Sequence, residues 1–314
     1  MASLRHRVVR PVARGLAPLP QLSIASEAAL LRLNGYGERR CFASTTPRRR
    51  PREPGPIRKA WREVRRLRDK IYDLYFASRG RGRYPEPVDI CNCGLEIGIK
   101  LPRPELLARE GMEPGSEEWR QQFYAAAMYW QVATRPRARE LDANPEMLTD
   151  MDVLEVSCAR GGGARYLAEV TRPKSYIATD GREENVARWS RFPAVAGLEY
   201  RQVDPLRLEE SFPADSFDWI LCVQAVVDYS DLPAFFRGVK HVLRPGGQLA
   251  LCDAFTRLQF QEFKDSIDKT DLEYVAQTDL SLAVNAVGHC IVPPHVAYMH
   301  LIFAKPQATD VEEP

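Results

Sequence analysis

From residue 152 onward, short apolar runs alternate with segments whose apolar residues recur every three or four positions. The short runs are typical of buried strands, and the longer period is typical of amphipathic helices. The pattern predicts seven strands, near residues 152–157, 175–180, 198–203, 218–224, 247–253, 273–279 and 298–305. Because helices separate most of them, we expect a mainly parallel sheet covered on both faces, with ligands at the carboxyl ends of the strands.

Two further helices are predicted upstream of this region. Apolar residues spaced by three, four and seven positions indicate a helix at about 57–77. A second helix is predicted over 116–136, where Ser116 precedes a first turn that carries acids. Residues 45–56 contain proline and arginine without an apolar pattern, which is typical of a linker or an exposed arm.

The charge is unevenly distributed along the 314 residues, whose net charge is +2. Residues 1–42 hold seven Arg and two Glu and are rich in Ala, Leu and Ser, which is typical of a mitochondrial or plastid transit peptide. Arginines spaced along an apolar face favour mitochondria over plastids. Cleavage is expected near Phe42, and the predicted location is the mitochondrial matrix or the matrix face of the inner membrane. A disordered cytosolic tail is the alternative. No run reaches the 18 or more apolar residues of a membrane span.

A second basic segment follows at residues 47–70, with eleven Lys/Arg and three acids, and residues 71–314 carry −11. A basic arm on an acidic body predicts docking to an anionic membrane, to RNA or to a protein complex. A solvated helix face is the alternative interpretation.

The cysteines and histidines favour structural roles over metal binding. The seven cysteines show no CxxC pair, and Cys91 and Cys93 are too close in sequence for an ordinary zinc pair, so no metal is predicted. We expect structural roles for His289, His295 and His300.

The stretch "LEVSCARGGGARYL", residues 154–167, predicts a strand, a tight turn and the start of a helix. This arrangement points backbone N–H groups at a bound ligand, although glycine-rich turns also occur where a strand packs close to a helix. Asp180 ends the second strand nineteen residues after Gly161, where a carboxylate can accept hydrogen bonds from both ribose hydroxyls. Asp204 ends the third strand and is expected near an adenine edge.

With "QVATRP", "SFDWILCVQA" and "VLRPGG", this stretch resembles the class I S-adenosylmethionine-dependent methyltransferases, over about residues 120–255. The similarity is greatest to the phthiotriolone dimycocerosate methyltransferase-like branch, whose members O-methylate lipids. The resemblance implies a Rossmann-like α/β sheet with order 3-2-1-4-5-7-6 and an antiparallel strand seven, together with S-adenosylmethionine as cofactor. The implied cofactor-binding residues are Glu155, Ser157, Ala159, Gly161, Asp180, Asp204 and Gln224.

Three features depart from that branch. Ala159 replaces the middle glycine of the loop, where a Cβ either blocks a positive φ or crowds the cofactor. After strand four the branch has an acid and a histidine, whereas this chain has Gln224 followed by "AVVDY", so Asp228 or Tyr229 is the expected general base. Beyond Asp253 there is room only for one helix, strand six and a short stub, which predicts a reduced lid.

The predicted domains are a transit peptide (1–42), a basic linker and helical N-terminal extension (43–115), the methyltransferase domain (116–306) and a disordered acidic tail (307–314). The predicted function is mitochondrial methyl transfer to a hydroxyl of a lipid-like or quinone-like small molecule. The alternative is a catalytically weakened methyltransferase fold that serves as a subunit of a mitochondrial ribosome or respiratory complex.

Overall fold

The computed structural model describes residues 89–90, 92–96, 98, 100–108, 112–134, 144, 146–287 and 295–307. The predicted transit peptide, the basic arm 47–70, the helix at 57–77 and His289 lie outside these residues, as does the tail after residue 307. The domain boundaries therefore stay predictions.

All seven predicted strands are present. They are β1 Asp152–Val156, β2 Ser175–Asp180, β3 Leu198–Gln202, β4 Phe217–Val223, β5 Leu243–Thr256, β6 Glu273–Asp279 and β7 Val296–Ala304. The described helices are α1 Glu117–Thr134, α2 Gly162–Thr171, α3 Glu183–Trp189, α4 Leu208–Ser211, α5 Leu232–Val242, α6 Arg257–Ile267 and α7 Ser281–Val287. Single 3-10 turns occupy Pro104–Leu107 and Val226–Asp228. None of the described helices has the length and apolar character that a membrane crossing requires.

The strands form one sheet in the order β3-β2-β1-β4-β5-β7-β6. β1 to β5 pair in parallel, and β7 runs antiparallel to both β5 and β6. The structure therefore confirms the predicted order and the predicted direction of strand seven. Since β1 to β6 all run the same way, their carboxyl ends lie at one edge of the sheet, which we call the site edge.

Helices cover both faces because successive strand residues point to opposite sides. Val153 of β1 packs in the core shared with α1, α2, α3 and α7, whereas Leu154 packs in the core shared with α4, α5 and α6. α1 begins where the sequence predicted, because the Ser116 hydroxyl accepts a hydrogen bond from the Trp119 N–H at 3.1 Å.

The edge opposite the site edge is held by a charged network. The Arg244 guanidinium bonds to Asp218 at 2.6 Å and to Asp152 at 2.9 Å, and Lys174 also reaches Asp152 at 2.9 Å. Burial raises the pKa of Asp152, but hydrogen bonds from Lys174, Ser175 and Arg244 outweigh it and hold the pKa at about 2. The network joins β1, β4 and β5 where these strands begin or enter the sheet.

The stub predicted after β6 contains more structure than expected. Residues 281–287 form α7, and the Leu280 N–H and the Ser281 hydroxyl both bond to the backbone of Tyr298 in β7. His300 is buried within β7, opposite Cys252 of β5, and His295 is exposed just before β7. α7 has seven residues, and the reduced lid stays a prediction because residues 288–294 lie outside the described residues.

Candidate functional site

The site edge brings most of the predicted residues together. Ser157 and Ala159 follow β1, Asp180 ends β2 and Gln224 follows β4 directly. Asp204 lies just beyond β3, is exposed, and accepts a hydrogen bond from the Leu206 N–H at 2.9 Å. The carboxyl ends of adjacent parallel strands thus supply the arrangement that the sequence predicted.

The loop between β1 and α2, residues 157–161, is built from left-handed backbone conformations. The φ angles are 62° at Ser157, 49° at Ala159 and 81° at Gly161. Only glycine adopts this region without steric cost, and another L-residue loses about 1–2 kcal/mol there. Ala159 therefore does adopt the positive φ that its Cβ disfavours, and the loop is strained where the family has a glycine.

Three side chains, those of Asp180, Trp189 and Tyr200, hydrogen-bond to the backbone of this loop. Asp180 Oδ2 accepts the Ala159 N–H at 2.9 Å, and Asp180 Oδ1 accepts the Arg182 N–H at 2.9 Å. From the end of α3, the Trp189 indole donates to the Ala159 carbonyl at 3.1 Å, and from β3 the Tyr200 hydroxyl donates to the Gly161 carbonyl at 2.7 Å. The two aromatic rings stack with centroids 5.1 Å apart. Trp189 and Tyr200 were missed by the sequence analysis, because nothing local marks them as loop anchors.

The three consecutive glycines are required by packing within the protein. A Cβ on Gly161 would lie 2.8 Å from both Trp189 and Tyr200, and one on Gly162 would lie 2.6 Å from Asp89. A Cβ on Gly163 would overlap the Tyr129 ring. The Gly161 N–H bonds to the Cys158 carbonyl, and its own carbonyl accepts from Tyr200. Gly161 therefore shapes the loop, and its direct role in cofactor binding stays a prediction.

Glu155 points into the core, away from the site edge. Its two oxygens accept hydrogen bonds from the Tyr129 hydroxyl at 2.9 Å and the Tyr176 hydroxyl at 2.5 Å, and the residue is buried. Burial raises its pKa from 4.5 to about 7, against the lowering effect of the two phenols. The predicted cofactor contact is replaced by a structural one, since Glu155 ties α1 and β2 to β1 directly below the loop.

A segment that the resemblance did not cover crosses the site edge. We call residues 89–90 and 92–96 the N-terminal strap. The Asp89 carbonyl accepts the Gly162 N–H at 3.2 Å, and the Cys93 N–H donates to Gln224 Oε1 at 3.0 Å. Gln122 of α1 holds the strap from behind, because its Oε1 accepts the N–H groups of Asp89 and Ile90. The strap therefore connects the first turn of α2 with the end of β4.

Gln224 has a strained backbone conformation, and only the oxygen of its side-chain amide has a hydrogen-bond partner among the described residues. Its φ is 55°, its N–H donates to the Cys252 carbonyl at 2.7 Å, and its side-chain oxygen accepts from the strap. Its amide nitrogen is shielded from solvent and has no hydrogen-bond partner among the described residues. A buried donor without a partner costs about 1–3 kcal/mol, so this nitrogen requires an explanation.

The two predicted bases differ in environment. The Tyr229 hydroxyl lies 2.8 Å from Ser157 Oγ and 3.6 Å from Cys222 Sγ, and burial raises the pKa of Tyr229 well above its usual value. A phenol in this state is protonated at neutral pH, so the structure argues against Tyr229 as a general base and makes it a link between the loop and β4. Asp228 lies exposed at the end of the 3-10 turn that follows β4.

A buried carboxyl that the sequence analysis did not select supports that turn. Asp253 of β5 accepts the Val227 N–H at 3.1 Å and the Ala254 N–H at 2.7 Å. Burial raises its pKa from 3.8 to about 7, against the effect of these two bonds. Asp253 thus positions the turn that carries Asp228. In the sequence, the one feature that could have marked Asp253 is its position directly after the apolar run of strand five.

The residues at the ends of β2 and β3 fit the nucleoside of S-adenosylmethionine. Each Asp180 oxygen accepts one backbone N–H and keeps a lone pair for a ribose hydroxyl. Asp204 stands at the neighbouring strand end, as the adenine contact requires. Asp180 and Asp204 therefore stay the predicted cofactor contacts, and Ser157 Oγ lies 2.8 Å from the Tyr229 hydroxyl.

Comparison with known proteins agrees with this geometry. A family described as "Methyltransferase domain" matches residues 154–251. The chain is 35% identical over 132 residues to "Fatty-acid O-methyltransferase" of Mycolicibacterium smegmatis, covering 42% of this chain and 47% of the relative. It is 34% identical over 137 residues to "Probable phthiotriol/phenolphthiotriol dimycocerosates methyltransferase 2" of Mycobacterium ulcerans, covering 44% of this chain and 52% of the relative.

A solved structure supports the fold. The putative sarcosine dimethylglycine methyltransferase from Galdieria sulphuraria aligns with a TM-score of 0.51 at 13% identity, over 75% of this chain and 98% of that one. The chain spans about half the length of the curated relatives that it matches. The comparisons confirm the predicted resemblance to the class I methyltransferases and to their phthiotriol branch, whose cofactor is S-adenosylmethionine.

Proposed function

We propose that this chain, whose residues 154–251 carry a class I methyltransferase domain, transfers a methyl group to an oxygen of a lipid-like small molecule. The observation that carries the proposal is the buried Asp180 carboxylate at the end of β2, bonded directly to the loop after β1. The names of the two relatives support a lipid-like acceptor. The sequence favours a hydroxyl, on a lipid-like or quinone-like molecule, and the first relative's name adds a carboxylic acid as a candidate.

The residues at the site edge act mainly by positioning. When bound, S-adenosylmethionine supplies an electrophilic methyl group. Asp180 and Asp204 would hold its ribose and adenine, and the bonds from Trp189 and Tyr200 keep the loop in one conformation. Methyl transfer depends chiefly on aligning the incoming oxygen with the methyl carbon, so a small set of positioning residues is sufficient. The strap is hydrogen-bonded to Gln224 at the end of β4.

The test is calorimetric titration of the full chain with S-adenosylmethionine and S-adenosylhomocysteine. Asp180→Asn replaces one acceptor oxygen by a donor, and we expect about tenfold weaker binding or more. Asp265→Asn, an exposed change on α6, is the matched control and should bind normally. Thermal unfolding must show that both variants are folded. Equal affinity in a folded Asp180→Asn variant would remove Asp180 from the site.

We also propose a mitochondrial location, supported by the arginine-rich and acid-poor composition of residues 1–42. Peptide mapping of the native protein should find its first residue at Ala43 or close to it. Recovery of peptides from residues 10–35 in the mature protein would contradict this.

The second candidate is a non-catalytic subunit of a mitochondrial assembly. The tightly packed glycines, the strained Ala159 and the strap over Gln224 favour it. The same titration separates the candidates, since a chain that binds neither ligand at millimolar concentration would be a scaffold.

A further inference from the structure

The hydroxyls of Ser157 and Tyr229 join two segments of the site edge that are 72 positions apart in the chain. Ser157 begins the loop after β1, and Tyr229 follows the 3-10 turn after β4. Ser157 Oγ lies 2.8 Å from the Tyr229 hydroxyl, which is the usual length of a hydrogen bond between two hydroxyls. Cys222 Sγ is farther from the same hydroxyl, at 3.6 Å, and sulfur is a weak hydrogen-bonding atom. The bond to Ser157 is therefore the stronger of the two.

Ser157 is the part of the loop that most requires such a bond. Its φ of 62° lies in the left-handed region, which a residue with a Cβ disfavours. The other side chains that hold the loop bond to the backbone of Ala159 and Gly161, in its second half. At Ser157 the hydroxyl bond to Tyr229 offsets part of the cost of the left-handed conformation. The first half of the loop therefore depends on Tyr229.

The position of Tyr229 is fixed by parts of the protein outside the loop. Its N–H bonds to the Val226 carbonyl at 3.2 Å, which closes the 3-10 turn. Its ring packs on Phe235 of α5, with the centroids 4.9 Å apart. The same turn is held on β5, because Asp253 accepts the Val227 N–H at 3.1 Å. The Tyr229 hydroxyl is therefore held in place from β5 and α5, and can determine where Ser157 lies.

We propose that Tyr229 is a positioning residue for the cofactor, which it serves by holding Ser157, and with it the loop after β1, in the left-handed conformation that binds the cofactor. The inference rests on the proposed methyltransferase function. A ligand binds more weakly when only a fraction of the molecules have the binding conformation. Loss of the hydroxyl bond would lower that fraction, because the strained loop would then relax towards other conformations.

Two properties distinguish this role from other roles of Tyr229. A general base acts on the methyl acceptor and is not needed for cofactor binding, whereas a positioning residue of the loop changes cofactor affinity. A residue that only stabilises the fold would not be compensated by a change in the loop. Glycine adopts a φ of 62° without steric cost, so glycine at position 157 should make the loop independent of the Tyr229 hydroxyl.

The experiment measures S-adenosylhomocysteine affinity by calorimetry on the full chain and its variants. Tyr229→Phe removes the hydroxyl and keeps the ring on Phe235. Ser157→Ala removes the hydroxyl from the other side, and Ser157→Gly removes both the hydroxyl and the Cβ. Each change at Ser157 is also combined with Tyr229→Phe. Tyr274→Phe is the matched control, since Tyr274 is half-buried at the start of β6, away from the site edge. Thermal unfolding must show that every variant is folded.

We expect about threefold weaker binding in Tyr229→Phe and in Ser157→Ala, no further loss when the two are combined, and unchanged binding in Tyr274→Phe. Ser157→Gly should bind normally, with or without Tyr229→Phe. Unchanged affinity in Tyr229→Phe would overturn the inference, as would a loss that persists in the combination with Ser157→Gly. Weaker binding by Ser157→Gly alone would also overturn it, because the Ser157 hydroxyl would then contact the cofactor directly. These three results leave the proposed function intact, whereas a natural protein that binds no S-adenosylhomocysteine would refute that function and the inference with it.

Discussion

Replacing Ala159 by glycine should stabilise the protein, which is the reverse of the usual effect of glycine. Ala159 is held at φ 49° from both sides, by the bond from its N–H to Asp180 and by the bond from Trp189 to its carbonyl. The loop keeps these contacts in the variant, because residue 159 contributes only its backbone atoms to them. What changes is the steric conflict of the Cβ in the left-handed region.

The magnitude follows from two opposing effects. Relief of the left-handed conformation gains about 1–2 kcal/mol, and the greater freedom of glycine in the unfolded chain costs about 0.5–1 kcal/mol. The net expectation is a free energy of unfolding higher by about 0.5–1 kcal/mol, with a melting temperature higher by about 2 °C. Because the strain exists in the loop without cofactor, the gain should appear in stability more than in cofactor affinity.

Urea unfolding and calorimetric titration with S-adenosylhomocysteine measure the two quantities. Ala187→Gly is the matched control, since Ala187 is exposed in α3 and glycine there should cost about 1 kcal/mol. If Ala159→Gly destabilises the protein as Ala187→Gly does, the strain argument is wrong. Tighter cofactor binding without added stability would mean that the Cβ crowds the cofactor instead.

Three further predictions concern stability. Glu155 has its pKa raised from 4.5 to about 7, so its protonated form stabilises the fold, fully below pH 4.5 and decreasingly as pH rises through 7. Glu155→Gln should remove up to about 1.4 kcal/mol per pH unit of that slope in urea unfolding, and an unchanged slope would contradict it. Tyr200→Phe removes the hydrogen bond to the Gly161 carbonyl but keeps the ring. It should lower the free energy of unfolding by about 1 kcal/mol and weaken cofactor binding. Equal stability and equal affinity would show that the bond is dispensable. Arg244→Gln leaves Asp152 with fewer partners and should destabilise the protein by about 1 kcal/mol at neutral pH. That difference should shrink as pH falls towards 2, where Asp152 becomes protonated, and a difference independent of pH would refute the role of the ion pair.

The strands were predictable because their signal is local. β1 and β2 appear as short apolar runs, and burial on both faces of a parallel sheet makes such runs continuous. Asp180 could be placed at the site because a residue that ends a parallel strand must lie at the ligand edge. Glu155 was assigned wrongly from its position in sequence, since the contacts of its side chain are made by Tyr129 of α1 and Tyr176 of β2, which lie far from it along the chain.

The sequence by itself thus determined the elements, and through a recognisable set of motifs it determined their order in the sheet. The tertiary structure alone decided what surrounds the loop. Trp189 and Tyr200 lie against Gly161, and Cys93 meets Gln224, 131 positions later in the chain. Hydrophobic periodicity indicates which face of an element is buried, because each buried position on its own favours an apolar residue. It does not record which distant side chain fills the space beside a glycine or leaves an amide nitrogen unmatched, because those outcomes depend on how separate elements pack together.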